Sequence, residues 1–207
     1  MKTIHSIILD YGGVISLPQN KTHINNMVKI LNQNPSSFMD VYRKHRYSYD
    51  IGKLTGTEYW IKTSQQFGYQ PKCSEIKELI IEDIKSWTKI NHRMLHFIID
   101  VRKIIHNLSI ISNMPYDILY YMKKHFNWLE FFDELTFSCE IGVNKPDPGI
   151  YEICIDRIGI HPCECLFVDD SPDNVEGAKK IGMNAIHFKS YDQFVEKLDA
   201  EYRLRNV

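Results

Sequence analysis

Six side chains stand where a nucleophile, a metal ligand or an anion-binding donor could act together: Asp10, Ser112, Asn113, Lys145, Asp169 and Asp170. All but Lys145 directly follow a short apolar-rich run: residues 4–9, 108–111 or 165–168. If those runs are parallel strands of one sheet, their carboxyl ends share a rim, and ligands bind at that rim in doubly wound folds. Three carboxylates on one rim cannot all stay ionised without a cation among them. Oxygen-only ligands favour a hard cation, and Mg²⁺ is the obvious one. A cation, an ammonium and hydroxyl or amide donors grouped around an aspartate describe a site for a phosphoryl group.

The elements that must position these groups can be read from periodicity. Residues 4–9 form a short apolar β-type run closed by Asp10-Tyr11-Gly12-Gly13, which suits a strand buried on both faces. From about residue 17 to 87 the pattern is helical, over 24–31, 37–47, 57–67 and 74–87, with a helix start expected at Ser74. An α/β alternation follows: helix 93–105, strand 108–111, helix 115–126, strand 134–137, helix 148–158, strand 165–168, helix 172–181 and strand 185–188. Strands alternating with helices of this length predict a parallel, doubly wound, Rossmann-like sheet. The expected organisation is an α/β core from residues 1–16 and 88–207, with an inserted α-helical cap over 17–87.

The 207-residue length fits one domain with room for such an insertion. Lys+Arg (25) and Asp+Glu (26) nearly cancel, so there is no overall electrostatic footprint for nucleic acid or an anionic membrane. No run approaches the ~18 apolar residues of a membrane span. The first residues lack the features of a signal peptide. The five cysteines match no zinc or redox spacing and read as free thiols. A soluble, cytoplasmic protein is expected, monomeric or homodimeric, whose partner is a small phosphorylated molecule and neither nucleic acid nor membrane.

Two longer motifs stand in the second half: Asn144-Lys145-Pro146-Asp147-Pro148-Gly149-Ile150-Tyr151, and Leu166-Phe167-Val168-Asp169-Asp170-Ser171-Pro172-Asp173-Asn174. With Asp10 and Ser112-Asn113 ahead of them, the sequence resembles the haloacid dehalogenase-like hydrolase superfamily. The resemblance is to the branch with a helical cap after the first motif, and it covers residues 4 to about 188. It implies a Mg²⁺-dependent phosphatase in which Asp10 attacks phosphorus and water hydrolyses the aspartyl-phosphate. Asp10, the Gly12 carbonyl and Asp170 would bind Mg²⁺, and Asp169 would hold a metal-bound water or orient Lys145. Ser112 and the Asn113 N–H would hold phosphate oxygens, while Lys145 neutralises charge. Asn174 matches a position near the metal that is often acidic in the family.

The sequence departs from that pattern at Gly12. Phosphatases of the family usually carry there an Asp that serves as general acid and base, a contribution typically worth ~10²–10⁴-fold. A branch written Asp-x-Gly-Gly or Asp-x-Gly-Asn resembles sugar-phosphate phosphatases, so the glycine alone does not mean an inert protein. The expectation is a substrate with a good leaving group, such as a sugar 1-phosphate or acyl phosphate. A cap residue could instead supply the proton, and His23, His45, Asp50 and Glu58 are the candidates. Carbon–halogen hydrolysis would need no acid, but the resemblance implies that dehalogenases lack the Asp169-Asp170 pair. A non-catalytic binding protein has Gly12 as its only support. Without their partners these residues have ordinary explanations: Asp10 and Asp169–Pro172 as turn or helix-cap residues, Lys145 as a surface charge. Phe126, Trp128, Phe131 and Phe132 read as core or an association surface.

Overall fold

A computed structural model describes residues 1–205, the Ser36 side chain excepted; residues 206–207 of the expected core lie outside the described residues. Strands β1 (Lys2–Ile4) and β2 (Ser6–Leu9) open the chain. Five helices follow: α1 (Lys21–Ile30), α2 (Pro35–Lys44), α3 (Arg46–Asp50), α4 (Gly56–Gln66) and α5 (Cys73–Ser86). The alternating part runs α6 (His92–Val101), β3 (Asn107–Ser112), α7 (Tyr116–His125), β4 (Glu134–Phe137), α8 (Ser138–Ile141) and α9 (Pro148–Ile158). It closes with β5 (Cys165–Asp169), α10 (Pro172–Lys180), β6 (Asn184–His187), α11 (Tyr191–Glu201) and β7 (Tyr202–Leu204).

Five strands form one all-parallel sheet in the order β4-β3-β2-β5-β6. Both faces are covered, and the strand pleat sorts side chains between them. Ile7, Leu9, Leu108, Ile110, Leu166 and Val168 pack on one face with Met94, Ile98, Leu119 and Phe194 from α6, α7 and α11. Ile8, Ile111 and Phe167 face the other way, against Ile150, Tyr151 and Cys154 of α9 and Ala178 of α10. The expected doubly wound α/β architecture is thus observed, with β2 at its centre.

Helices α1–α5 have an apolar cluster of their own, built around Met27, Phe38, Tyr42, Tyr49, Tyr59, Trp60 and Leu79. The chain segments leading into and out of this block are joined. Ser16 and Ile90 form an antiparallel bridge, Leu17 N–H donates to the Lys89 carbonyl (2.7 Å), and Asn91 N–H donates to the Ile15 carbonyl (2.9 Å).

Several expected elements need correction. The run 4–9 is two strands, because the chain breaks at His5 and β1 pairs with the C-terminal β7 outside the main sheet. The expected helix 37–47 is interrupted at His45, and Arg46 beyond the break turns inward onto Asp83. Helix α5 begins at Cys73 rather than Ser74, since the Glu75 carboxylate accepts the Lys72 N–H (2.7 Å) and fixes the first turn one residue earlier. The helix expected over 93–105 stops at Val101. Elements α8, α11, β1 and β7 were not anticipated; three of them have four residues or fewer, too short to show a period.

Among the described residues no helix is long and apolar enough to cross a membrane, and all five cysteines are free. Trp128 and Phe132 are buried in the core cluster, with Phe126 and Phe131 packed against it.

Gly177 in α10 marks where that helix presses against the loop after Lys145. A Cβ there would lie 2.9 Å from the Pro146 carbonyl oxygen and 3.0 Å from Tyr151 Oη. Gly177→Ala is therefore expected to destabilise the protein by ~1–3 kcal/mol despite alanine's higher helix propensity, measured as a lowered urea midpoint.

Candidate active site

Strands β2, β3 and β5 end side by side, and the loops leaving their carboxyl ends carry the candidate residues. Asp10 continues the ladder one step past β2, its N–H donating to the Val168 carbonyl (2.9 Å). Its Oδ1 accepts from the Tyr11 N–H (2.7 Å). The next residues form a wide turn closed by the Ser16 N–H on the Tyr11 carbonyl (2.8 Å). Gly13 sits in that turn at φ +73°, and a Cβ on it would overlap the Asp170 carboxylate. Both facts require glycine there.

Lys145 is buried, and its ammonium spends all three donors inside the protein. Nζ lies 2.8 Å from Asp10 Oδ1, 2.6 Å from Asp169 Oδ2 and 3.0 Å from the Ile111 carbonyl oxygen. Asp169, fully buried at the end of β5, also accepts from the Ser171 N–H (2.8 Å) and from Asn174 Nδ2, which is 3.1 Å from each of its oxygens. The Asn113 side chain grips the backbone of Lys145, accepting from its N–H (2.8 Å) and donating to its carbonyl (3.0 Å). Asn113 thus has a positioning role that its sequence context did not indicate. Ser171 occupies the N-cap position of α10 but its side chain makes no capping bond; the Asp169 carboxylate takes the Ser171 N–H instead.

Asp10, Asp169 and Asp170 each offer a carboxylate oxygen within 4.8 Å of the others. Such crowding sets their protonation. Burial is the main force raising the Asp10 pKa, to about 7; Lys145 opposes the rise, while Asp169 and Asp170 add to it. Burial likewise raises Asp170, helped by Asp169. For Lys145 burial works against the charge, but Asp10 and Asp169 outweigh it and hold the pKa above the usual lysine value. The site therefore carries more carboxylate than one ammonium neutralises. An oxygen-ligand cation suits that excess, and the hollow at Gly13 beside Asp170 is one that a side chain would fill.

These groups line a cavity of about 280 Å³. Asp10, Gly12, Ser112, Asn113, Lys145, Asp170 and Asn174 form one wall; Met39, Tyr42, Arg43, Arg46 and Asp50 from α2 and α3 face them, with Gln19 and Trp87 at the sides. Six of the seven residues singled out from sequence line this cavity together, and Asp169 supports them from behind.

An indole borders the place where an acid would stand on Gly12: a Cβ there would meet Trp87 Cζ3 at 3.4 Å, an ordinary van der Waals contact. Of the four candidate proton donors, Asp50 alone lines the cavity. His23 is paired with Glu82 at 2.9 Å, and Glu58 caps α4 through Thr55. Gln19, Met39, Tyr42, Arg43, Arg46 and Trp87, on the far wall and sides of the cavity, were not identified from sequence. Only the i,i+4 spacing of Arg46 and Asp50 offered a signal.

A family model described as haloacid dehalogenase-like hydrolase matches residues 22–188. The chain belongs to this family. Among curated relatives, a D-ribitol-5-phosphate phosphatase of Bacteroides thetaiotaomicron is 26% identical over 191 residues, covering 86% of this chain and 89% of that protein. A flavin mononucleotide hydrolase of Arabidopsis thaliana is 41% identical over 61 residues, which is 30% of this chain and only 25% of that protein. Among solved structures, a haloacid dehalogenase family enzyme of Bacteroides thetaiotaomicron in complex with magnesium and inorganic phosphate superposes with a TM-score of 0.76. It shares 20% identity, with coverage of 92% of this chain and 98% of that one. The L-2-haloacid dehalogenase of Xanthobacter autotrophicus gives a TM-score of 0.68 at 18% identity, covering 96% and 83%. At these identities the two structures establish the haloacid dehalogenase-like fold.

Two expectations follow from the geometry. Gly13→Ala forces a left-handed backbone, costing ~1–2 kcal/mol, and pushes Asp170 aside; its urea midpoint should fall accordingly. The metal-free protein holds Asp10 at a raised pKa, so the folded state binds a proton that the unfolded chain releases at lower pH. Stability from this group is full below about pH 4 and declines as pH rises to about 7, by at most ~1.4 kcal/mol per pH unit. Asp10→Asn removes that decline, so the variant should gain on wild type between about pH 4 and about pH 7 in thermal melts run with chelator.

Proposed function

We propose that this haloacid dehalogenase-like hydrolase is a Mg²⁺-dependent phosphatase acting on a small phosphorylated metabolite through an aspartyl-phosphate at Asp10. The observation that carries this reading is the Lys145 ammonium shared between Asp10 (2.8 Å) and Asp169 (2.6 Å) inside a cavity that also holds Asp170 and Ser112. The curated relative named as a D-ribitol-5-phosphate phosphatase and the fold relative bound to magnesium and inorganic phosphate support it.

Asp10 Oδ1 is occupied by the Tyr11 N–H and by Lys145, which leaves Oδ2 to attack phosphorus. As the Oδ2–P bond forms, the bond from phosphorus to the leaving oxygen breaks. Lys145 opposes the burial that raises the Asp10 pKa, favouring the ionised form that attacks, and balances charge on the transferring group. Ser112, and the Asn113 N–H, would hold phosphate oxygens. Asp10, Asp170 and the Gly12 carbonyl, with Asp169 nearby, would hold Mg²⁺, which would supply the positive charge that a dianionic phosphate needs in this acidic site. Water then attacks phosphorus, releases inorganic phosphate and regenerates Asp10, its proton leaving with the phosphate or to solvent.

Gly12 supplies no proton, and the Trp87 ring edge above it is not an acid. The leaving oxygen departs unprotonated or takes its proton from solvent, so phosphates with acidic leaving groups, sugar 1-phosphates and acyl phosphates among them, are the favoured substrates. The helical block of residues 17–87 acts as the cap that selects among them, since α2 and α3 form the wall facing the phosphoryl site.

The test is steady-state turnover of p-nitrophenyl phosphate and a metabolite-phosphate panel with Mg²⁺. Wild type should release phosphate, and chelation with EDTA should abolish release. Asp10→Asn should lower kcat by more than ~10⁴-fold, beyond the range of a lost general acid. Turnover that survives either change overturns the reading.

A further inference from the structure

We propose that Asp50, on the cap wall, determines specificity by accepting a hydrogen bond from a substrate hydroxyl, and that Arg46 positions it for that task. This assignment rests on the phosphatase reading and names what the far end of the cavity recognises.

Asp50 is a buried carboxylate that lines the cavity, and only one of its oxygens is committed. Oδ1 accepts from Arg46 Nε at 2.8 Å, whereas Oδ2 has no hydrogen-bond partner among the described residues. The Asp50 backbone is anchored to the catalytic side of the cavity. Its carbonyl accepts from Ser138 Oγ (2.6 Å), which in turn accepts the Met114 N–H (3.0 Å), two residues past Ser112. The backbone of α3 is thereby tied to the loop after Ser112, and Arg46 Nε restrains the carboxylate itself.

Arg46 is held more firmly than a surface arginine. Nη1 donates to Asp83 Oδ2 (2.8 Å) and Tyr42 Oη (2.7 Å). The guanidinium carbon lies 5.2–5.9 Å from the ring centroids of Tyr42, Tyr49 and Tyr59. Asp83 is itself tied to Tyr42 Oη at 2.6 Å. A guanidinium fixed on this many sides orients Oδ1 of Asp50 and leaves Oδ2 as a preorganised acceptor.

The surroundings select the donor. Arg46 is paired with Asp50 and Asp83 and Arg43 stands on the same wall, so these charges largely cancel and favour neither an ammonium nor a second anion on the substrate. A neutral hydroxyl suits such a wall and supplies the proton that Oδ2 lacks. Asp50 titrates near 6, raised chiefly by burial and lowered by Arg46, so it is an acceptor at neutral pH. A buried acceptor left without its donor is costly, which is why sites built for a hydroxyl discriminate strongly against analogues that lack it.

The experiment compares kcat/KM for sugar 1-phosphates and for deoxy analogues that lose a hydroxyl three or more carbons from the phosphoryl oxygen, which leaves the leaving group nearly unchanged. Wild type should favour the hydroxylated member of at least one pair by tenfold or more, expressed mainly in KM if the hydroxyl contact is made equally in ground and transition states. In Asp50→Asn that ratio should collapse to within about threefold. Arg46→Lys should narrow it without reversing it. Equal kcat/KM across every wild-type pair overturns the assignment without any variant being needed. A uniform loss on both members in Asp50→Asn overturns it in favour of a purely structural role. A loss that scales with leaving-group pKa instead of hydroxyl content overturns it in favour of proton donation. Failure to turn over even p-nitrophenyl phosphate would reject the phosphatase reading itself, and this assignment with it.

Discussion

Everything at the centre of this protein depends on one buried ammonium held between two buried carboxylates. Lys145 could not be charged in a fully enclosed position without Asp10 and Asp169, and those two could not share a rim without Lys145. The triangle closes only if β2 and β5 are neighbours and the loop carrying Lys145 folds back over β3. The alternate burial of Ile7, Ile8 and Leu9 fixes the register that puts Asp10 beside Val168 and Asp169. Core packing and site geometry are thus one constraint: a slip of one residue in β2 would turn Asp10 away from the lysine.

The helical block solves a different problem. Its five helices cluster around aromatic side chains, and its polar centre is the Arg46–Asp83–Tyr42 group. Such a polar centre is costly unless every member is satisfied. Asp50 is the member that is satisfied on one oxygen only, and it is also the one that meets the cavity.

The catalytic half was legible because short apolar runs, each followed by a chemically capable residue, repeat along the chain. Asp10, Ser112, Asp169 and Asp170 all fall within two residues of a strand end, so local periodicity located them. The role of the Asn113 side chain was not legible, because it acts on the backbone of Lys145, thirty-two residues away. Arg46 and Trp87 were missed for a similar reason: helical spacing describes which face of a helix is apolar, not which cavity its polar face overlooks. The expected helix 37–47 hid the break at His45, and with it the turn that brings Arg46 onto Asp83.

The paired segments at Ser16 and Ile90 have a consequence for how such a chain can change over time. Because the incoming and outgoing segments are stitched to each other, through Leu17 to Lys89 and Asn91 to Ile15, the chain enters and leaves the helical block through one short ribbon. Whatever sits beyond that ribbon can be lengthened, shortened or exchanged while β2 and β3 keep their register. The ribbon is a socket: it holds the reaction centre constant and leaves the opposite wall free to be rebuilt for another substrate.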